Sequence, residues 1–342
     1  MGIQETIGKK IIVSKIAYLY FDANKFIGAG HAVRCFALAM ALAKTGWNCF
    51  FVISKEAIKF INELSQFDRV DPIDFYRLQP QCDLLVIDSY HLDYYAEKYL
   101  GEKAKKVLVI DDLANRPHKC EILVDQTFSR DSEVYQHLVP KNCNIFTGNK
   151  YIMLRDGFIN LRQQAVVQRS KVGTVKTLLI SLGGGKQDVS FIEILMDAVK
   201  KLQFAGNVDI VLGFWPDEQK YEFLINKKVK CHVNANMPLL TLNSDVAIGA
   251  SGSSMWERCC LGLPTVMISL SEDQRTIAHN LENFGAALYA GDRENFNVDK
   301  FISLLDLLIY DTNKRMQIQQ KAFEVCDGAG VNRIVGAINA SY

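Results

Sequence analysis

Residues 27–47 read IGAGHAVRCFALAMALAKTGW, and they follow the apolar run IAYLYF at 16–21. The pattern is a strand, a glycine-rich turn carrying a histidine, and then a helix. Apolar Val33, Phe36, Ala37, Met40 and Ala41 recur at helical spacing. Gly28 and Gly30 let the backbone turn tightly and approach a ligand closely. His31 falls where the helix begins, beside unpaired N–H groups at the positive end of its dipole. A neutral imidazole there is placed to take a proton.

The same grammar repeats along the chain. Apolar runs at 16–20, 49–53, 84–87, 107–110 and 122–124 alternate with helical patterns near 32–44, 55–65 and 93–103. Strands separated by helices predict a parallel sheet covered on both faces. Residues 162–175, RQQAVVQRSKVGTV, are polar and read as a linker. A second series follows, with strands at 177–182, 208–212, 247–249 and 265–268. Its helices are expected near 189–202, 216–226, 253–261, 274–284 and 298–310. The reading is therefore α/β, with two Rossmann-like doubly wound lobes at 1–160 and 176–325. A linker at 161–175 joins them, and a C-terminal helix covers 326–342. Ligands of such sheets bind at the carboxyl ends of the strands.

In the second lobe, residues 248–264, IGASGSSMWERCCLGLP, form another strand–turn–helix unit. Ser251, Gly252, Ser253 and Ser254 offer hydroxyls and backbone N–H groups suited to a diphosphate. No G-K-[ST] follows and no G-x-G-x-x-G is present, so neither a Walker loop nor a dinucleotide fingerprint is read. Glu257, one turn into the helix, is placed to accept two ribose hydroxyls. Gly184 and Gly185 after the strand at 177–182 supply a further phosphate-compatible turn, and Gln274 lies on the same edge. Asp88 and Tyr90 follow a buried run and are expected to line the cleft, as Asp111 and Asp112 could. Asp22 is expected to orient His31 or hold a substrate hydroxyl. His91, His118, His137 and His232 read as ordinary loop or surface histidines.

Composition narrows the function. Apolar residues make up 49%, charged residues 23%, and the net charge is +1. That balance gives no field to attract nucleic acid or anionic lipid. No run approaches the ~20 apolar residues of a membrane span, and MGIQETIGKK has no signal-peptide core. The nine cysteines form no C-x-x-C pair, which suits reduced thiols in a cytoplasmic, metal-free protein.

Several blocks together resemble a known family. They are Gly28-Ala-Gly-His31-Ala-Val-Arg34-Cys35, Asp88-Ser-Tyr90, Asp111–Asp112, and Tyr151-Ile-Met-Leu-Arg155 with Phe158. Gly249 to Pro264, Glu272-Asp-Gln274 and Asp327-Gly-x-Gly330-x-x-Arg333 complete the set. In this order the chain resembles the UDP-2,4-diacetamido-2,4,6-trideoxy-β-L-altropyranose hydrolases of pseudaminic acid biosynthesis. Those are related in fold to the GT-B glycosyltransferase that makes lipid II.

The resemblance implies a GT-B arrangement, with UDP on the C-terminal lobe and sugar facing the N-terminal lobe. It implies hydrolysis at the anomeric carbon with inversion, without metal or cofactor. His31 would be the base, with Asp22 and Tyr90 in the catalytic set. Arg34 and Asp88 would join the substrate-binding residues. Two departures stand out. The arginine of the family's R-x-D pattern is Tyr20 here, and the G-G-x-D turn is stretched to Gly184-Gly185-Lys186-Gln187-Asp188. A glycosyltransferase or UDP-sugar 2-epimerase of the same fold, and a non-catalytic nucleotide-sugar binder, are the competing readings.

Overall fold

The computed structural model describes residues 14–23, 29–59, 62–171, 173–184, 188–213, 221–222 and 224–342. Gly28 and Gly185, expected in the site, lie outside the described residues, as does much of the helix expected at 216–226.

The first sheet has seven parallel strands. In chain order they are β1 (Lys15–Phe21), β2 (Trp47–Val52), β3 (Asp68–Val70), β4 (Cys82–Asp88), β5 (Ala104–Ile110), β6 (Ile122–Asp125) and β7 (Asn144–Thr147). Their spatial order is β3-β2-β1-β4-β5-β6-β7. The chain winds outward one way from β1 and the other way from β4, so the switch point lies between those two strands. Phe21 at the end of β1 is in register with Asp88 at the end of β4.

The second sheet has six strands: β8 (Thr177–Ser181), β9 (Asn207–Val211), β10 (Val229–His232), β11 (Val246–Ala250), β12 (Thr265–Ser269) and β13 (Leu288–Asp292). Their order is β10-β9-β8-β11-β12-β13, again parallel. Here the switch point lies between β8 and β11. Strands β11 and β12 are buried along their whole length, the signature of a sheet covered on both faces.

Helix α1 (Gly30–Lys44) packs on one face of the first sheet, burying Ala32, Cys35, Phe36, Leu38, Ala39 and Leu42 against Ala17, Leu19 and Phe21. Helices α2 (Pro72–Leu78) and α3 (Tyr94–Leu100) cover the other face, where Phe75 and Leu100 meet Leu85 and Val109.

The stretch expected as a linker is helical for much of its length: α4 runs Asp156–Arg169. Its glutamines are exposed, but its two inner arginines are engaged inside the protein rather than with solvent. Arg169 is buried and donates to the carbonyls of Leu261, Ser244 and Thr241 at 2.6, 3.0 and 2.8 Å. Arg162 donates to those of Cys260 and Phe323. The two guanidiniums serve carbonyls that would otherwise go unpaired.

The second sheet is wrapped by α5 (Val189–Lys201), α6 (Met237–Asn243), α7 (Ser254–Cys260), α8 (Asp273–Phe284), α9 (Val298–Tyr310) and α10 (Thr312–Val325). The last helix, α11 (Gly330–Ala340), returns to the first sheet. Val331, Ile334, Val335 and Ile338 join the core beneath α1, and Trp47 donates to Asn339 at 2.9 Å. Gly330 permits that return, since a Cβ there would lie 2.2 Å from the Ile152 carbonyl oxygen. The helix expected near 55–65 is two short 3₁₀ turns, Ala57–Lys59 and Asn62–Gln66. No described helix is long and apolar enough to cross a membrane.

Candidate functional site

At the first switch point His31, the second residue of α1, reaches across to Asp88. Its Nδ1 lies 2.5 Å from Asp88 Oδ1, so an Nδ1–H donates to the carboxylate and the neutral ring carries its lone pair on Nε2. No described residue hydrogen-bonds Nε2. Arg34, one turn along α1, donates to both oxygens of Asp88, from Nε and Nη2, at 2.6 Å each. Burial alone would raise the Asp88 pKa, but Arg34 and His31 outweigh it and hold the carboxyl well below the usual range. The helical spacing of 31 and 34 places both side chains over one strand end.

Arg34 also donates to Asp112 Oδ2 at 2.9 Å, and Tyr90 donates to Asp112 Oδ1 at 2.7 Å. The Tyr90 ring meets the His31 ring edge-on at 4.7 Å between centroids. Burial and the Asp112 carboxylate push the Tyr90 phenol well above its ordinary value. It therefore stays protonated. His31, Arg34, Asp88, Tyr90 and Asp112 form one connected cluster; Asp112, which the sequence left open as a cleft residue, joins its two halves.

The expectation that Asp22 orients His31 is corrected. Asp22 accepts from Ser89 Oγ at 2.6 Å, and its N–H donates to the Asp88 carbonyl. Asp88 does the orienting because its position opposite Phe21 points it at the α1 face. Tyr20, one residue earlier, faces the other side. It lines a shallow cavity with Pro72, Ile73, Tyr76 and Arg77.

Behind the cluster lies a buried charged layer. Arg116 donates to Asp111 Oδ1 and to the Ser89 carbonyl, while Arg130 donates to the Asp112 carbonyl and pairs with Asp125. These contacts fix the loops that carry Tyr90 and Asp112. His118 is not a surface residue: it is 1% exposed, with Nδ1 2.7 Å from Glu97 and Nε2 3.7 Å from Asp111. Burial alone would lower its pKa, but Asp111 and Glu97 raise it to about 9. His232, half-buried, pairs with Asp209 at 2.6 Å.

At the second switch point the turn after β11 divides its residues between structure and cleft. Ser251 is fully buried; its N–H donates to Ile268 and its hydroxyl meets Ser269 Oγ at 3.0 Å. Both of its donors are thus engaged inside the sheet, which corrects its expected place on the ligand. Gly252 and Ser253 make no backbone N–H bond to described backbone groups. A Cβ at Gly252 would sit 3.2 Å from Gln274 Nε2, and Gln274 Oε1 accepts from the Leu270 N–H. Gln274 therefore lies against the turn. Ser254 starts α7, a helix of seven residues.

Glu257 is 8% exposed and accepts from Arg155 at 3.1 Å. Burial pushes its carboxyl upward, with Arg155 opposing. Arg155 also lies 3.9 Å from Glu63 beyond β2. No local pattern marks Arg155 for this contact. Gly184 closes the described part of the turn after β8, and beyond it Asp188 caps α5 and pairs with Arg293. Among the described residues no group of His, Cys, Asp and Glu is arranged to hold a metal ion.

The two edges meet. A Cβ at Gly30 would lie 3.2 Å from Ser253 Oγ. The turn ahead of α7 thus abuts the residue before His31.

No family model matches the chain. An uncharacterized protein of Methanocaldococcus jannaschii is 27% identical over 275 residues, covering 74% of this chain and 55% of that protein. Spore coat polysaccharide biosynthesis protein SpsG of Bacillus subtilis is 24% identical over 342 residues, covering 95% and 98%. The UDP-2,4-diacetamido-2,4,6-trideoxy-β-L-altropyranose hydrolase of Campylobacter jejuni is 25% identical over 232 residues, covering 63% and 83%. The match spans about half of the archaeal relative and nearly all of SpsG. Among solved structures, Acinetobacter baumannii MurG superposes with a TM-score of 0.66 at 15% identity, covering 95% of this chain and 99% of that one. A UDP-N-acetylglucosamine 2-epimerase gives 0.63 at 15%, covering 96% of each. The chain is similar in sequence to the altropyranose hydrolase, and its fold is the two-sheet α/β arrangement of MurG.

Proposed function

We propose that the chain is a UDP-sugar hydrolase. Its substrate would be UDP-2,4-diacetamido-2,4,6-trideoxy-β-L-altropyranose or a close relative, cleaved to free sugar and UDP in the making of a nonulosonic acid. The observation that carries this reading is the His31–Asp88 pair, with Nε2 unengaged among the described residues, one residue from the Gly30–Ser253 contact. It puts a general base beside a turn suited to a diphosphate.

In this mechanism Gly252, Ser253 and Ser254 hold the diphosphate, Gln274 supports the turn, and Glu257 accepts the ribose hydroxyls. A water oxygen bonds to the anomeric carbon from the face opposite UDP as the carbon–oxygen bond to UDP breaks. The water proton goes to His31 Nε2, and the bonding pair leaves on the β-phosphate oxygen. The sugar is released with inverted configuration. Asp88 stabilises the imidazolium that forms, as the carboxylate does in a serine-protease triad. Arg34 keeps Asp88 ionised for that task. Tyr90 and Asp112 border the ring and can meet sugar hydroxyl or acetamido groups. UDP is a good leaving group, so electrostatic stabilisation of its charge serves in place of a general acid.

The test is UDP release from the diacetamido-trideoxy UDP-sugar and from UDP-N-acetylglucosamine, with no acceptor added. Release from the first alone supports the reading. UDP binding with no release from either points to a transferase.

A further inference from the structure

Arg258 in α7 is 2% exposed, and no described carboxylate lies within ion-pair distance of it. Glu257, its neighbour in sequence, turns to Arg155 instead. The Arg258 guanidinium donates to the Ala250 carbonyl, to Ser254 Oγ at 3.2 Å and to Met255 Sδ at 3.4 Å, while its Nε has no hydrogen-bond partner among the described residues. Side chains on a helix lean toward its N-terminus. The cation therefore lies under the turn at 250–254, where the helix dipole disfavours positive charge. Gly249 makes the room: a Cβ there would come within 2.7 Å of the guanidinium. Burial lowers the group only to about 10, so it is charged at neutral pH. A buried charge is ordinarily paired. This one has hydrogen bonds, but among the described residues no carboxylate pairs with it, and Glu257, the nearby opposite charge that acts on it, is held by Arg155.

We propose that Arg258 is the buried counter-charge of a nucleoside diphosphate bound on the turn above it, acting through that turn as a positioning residue. The inference rests on the reading of residues 252–254 as the diphosphate site, and it adds the source of that site's positive potential. The arriving anion supplies what the dipole and the burial leave uncompensated. Affinity should then climb with phosphate charge from uridine to UMP to UDP, and that climb should depend on Arg258.

The experiment is calorimetric titration of the full chain with uridine, UMP and UDP. Arg258→Gln leaves an amide donor at the level of the arginine Nε but removes the charge. It should weaken UDP at least ~10-fold while changing uridine less than ~2-fold. Gly249→Ala keeps the charge but displaces it, and should flatten the same series; it carries the test if the glutamine variant does not fold. Unchanged UDP affinity in a folded variant overturns the proposal, as does an equal loss for uridine and UDP, which marks a purely structural residue. A wild-type chain that binds UDP no better than uridine sinks the diphosphate reading itself, and the proposal with it.

Discussion

Gly30 and Ser253 touch across the two sheets, the hydroxyl of one lying 3.2 Å from where a side chain on the other would begin. Each sits at the switch point of its own sheet, β1/β4 for Gly30 and β8/β11 for Ser253. Open parallel sheets bind ligands at such points. Here two of them face each other, so a base fixed to the first reaches a ligand held by the second.

His31 is expected to matter for turnover and little for binding. His31→Asn should cut kcat at least ~100-fold, the usual worth of a positioned base, with UDP affinity nearly unchanged. Steady-state kinetics alongside calorimetry separates the two. A variant that keeps most of its activity removes His31 from the mechanism.

Asp88 carries both chemistry and stability. Asp88→Asn removes the charge that Arg34 grips through two 2.6 Å bonds and leaves that buried guanidinium with Asp112 as its one carboxylate partner among the described residues. Breaking a buried pair costs ~3–5 kcal/mol, so the urea midpoint should fall together with kcat. Loss of activity at full stability would confine Asp88 to chemistry.

Much of this was legible in the sequence. Buried runs of β-branched and leucine residues mark the central strands, and glycines beside His31 and Glu257 mark both strand-end turns. The edge strands β3, β7 and β10 are short and mix polar with apolar residues (DRV, NIFT, VKCH), unlike the short but largely apolar β6. Arg162 and Arg169 read as part of a polar linker although they bind carbonyls. Long-range pairing was invisible for the same reason: nothing near Asp88 or Asp22 in sequence says which one faces α1, since only the β1–β4 register decides it. Arg155 and Glu257, 102 positions apart, meet only in the folded chain.

Glu257→Ala should weaken UDP by ~1–3 kcal/mol through a lost charge-assisted bond, with kcat at saturating substrate changed much less. Arg155→Ala frees the Glu257 carboxylate without removing it. It should leave UDP affinity within a few-fold, and a loss as large as that of Glu257→Ala would instead make Arg155 the group that holds the nucleotide.

The His118 layer predicts an alkaline weakness. Its folded pKa of about 9 lies above the ordinary 6.5, so its contribution to stability is complete below about pH 6.5 and is lost as pH rises through about 9. Asp111 is the opposite case. Burial would raise it, but His118 and its other partners lower it from 3.8 to about 2, so its contribution is complete above about pH 4 and is lost as pH falls from there through about 2. Urea midpoints of wild type and His118→Gln at pH 6 and above pH 9 test this. The wild type should lose stability over that range and the variant should lose markedly less; parallel declines would contradict the assignment.

The most direct measurement of the central claim is turnover of the diacetamido-trideoxy UDP-sugar in ¹⁸O-labelled water, with the products read by mass spectrometry. Attack at the anomeric carbon with His31 as base predicts label on the released sugar, none on UDP, and loss of the signal in His31→Asn. Label on the phosphate of UDP would mean that the phosphorus–oxygen bond is cut, and would contradict the account.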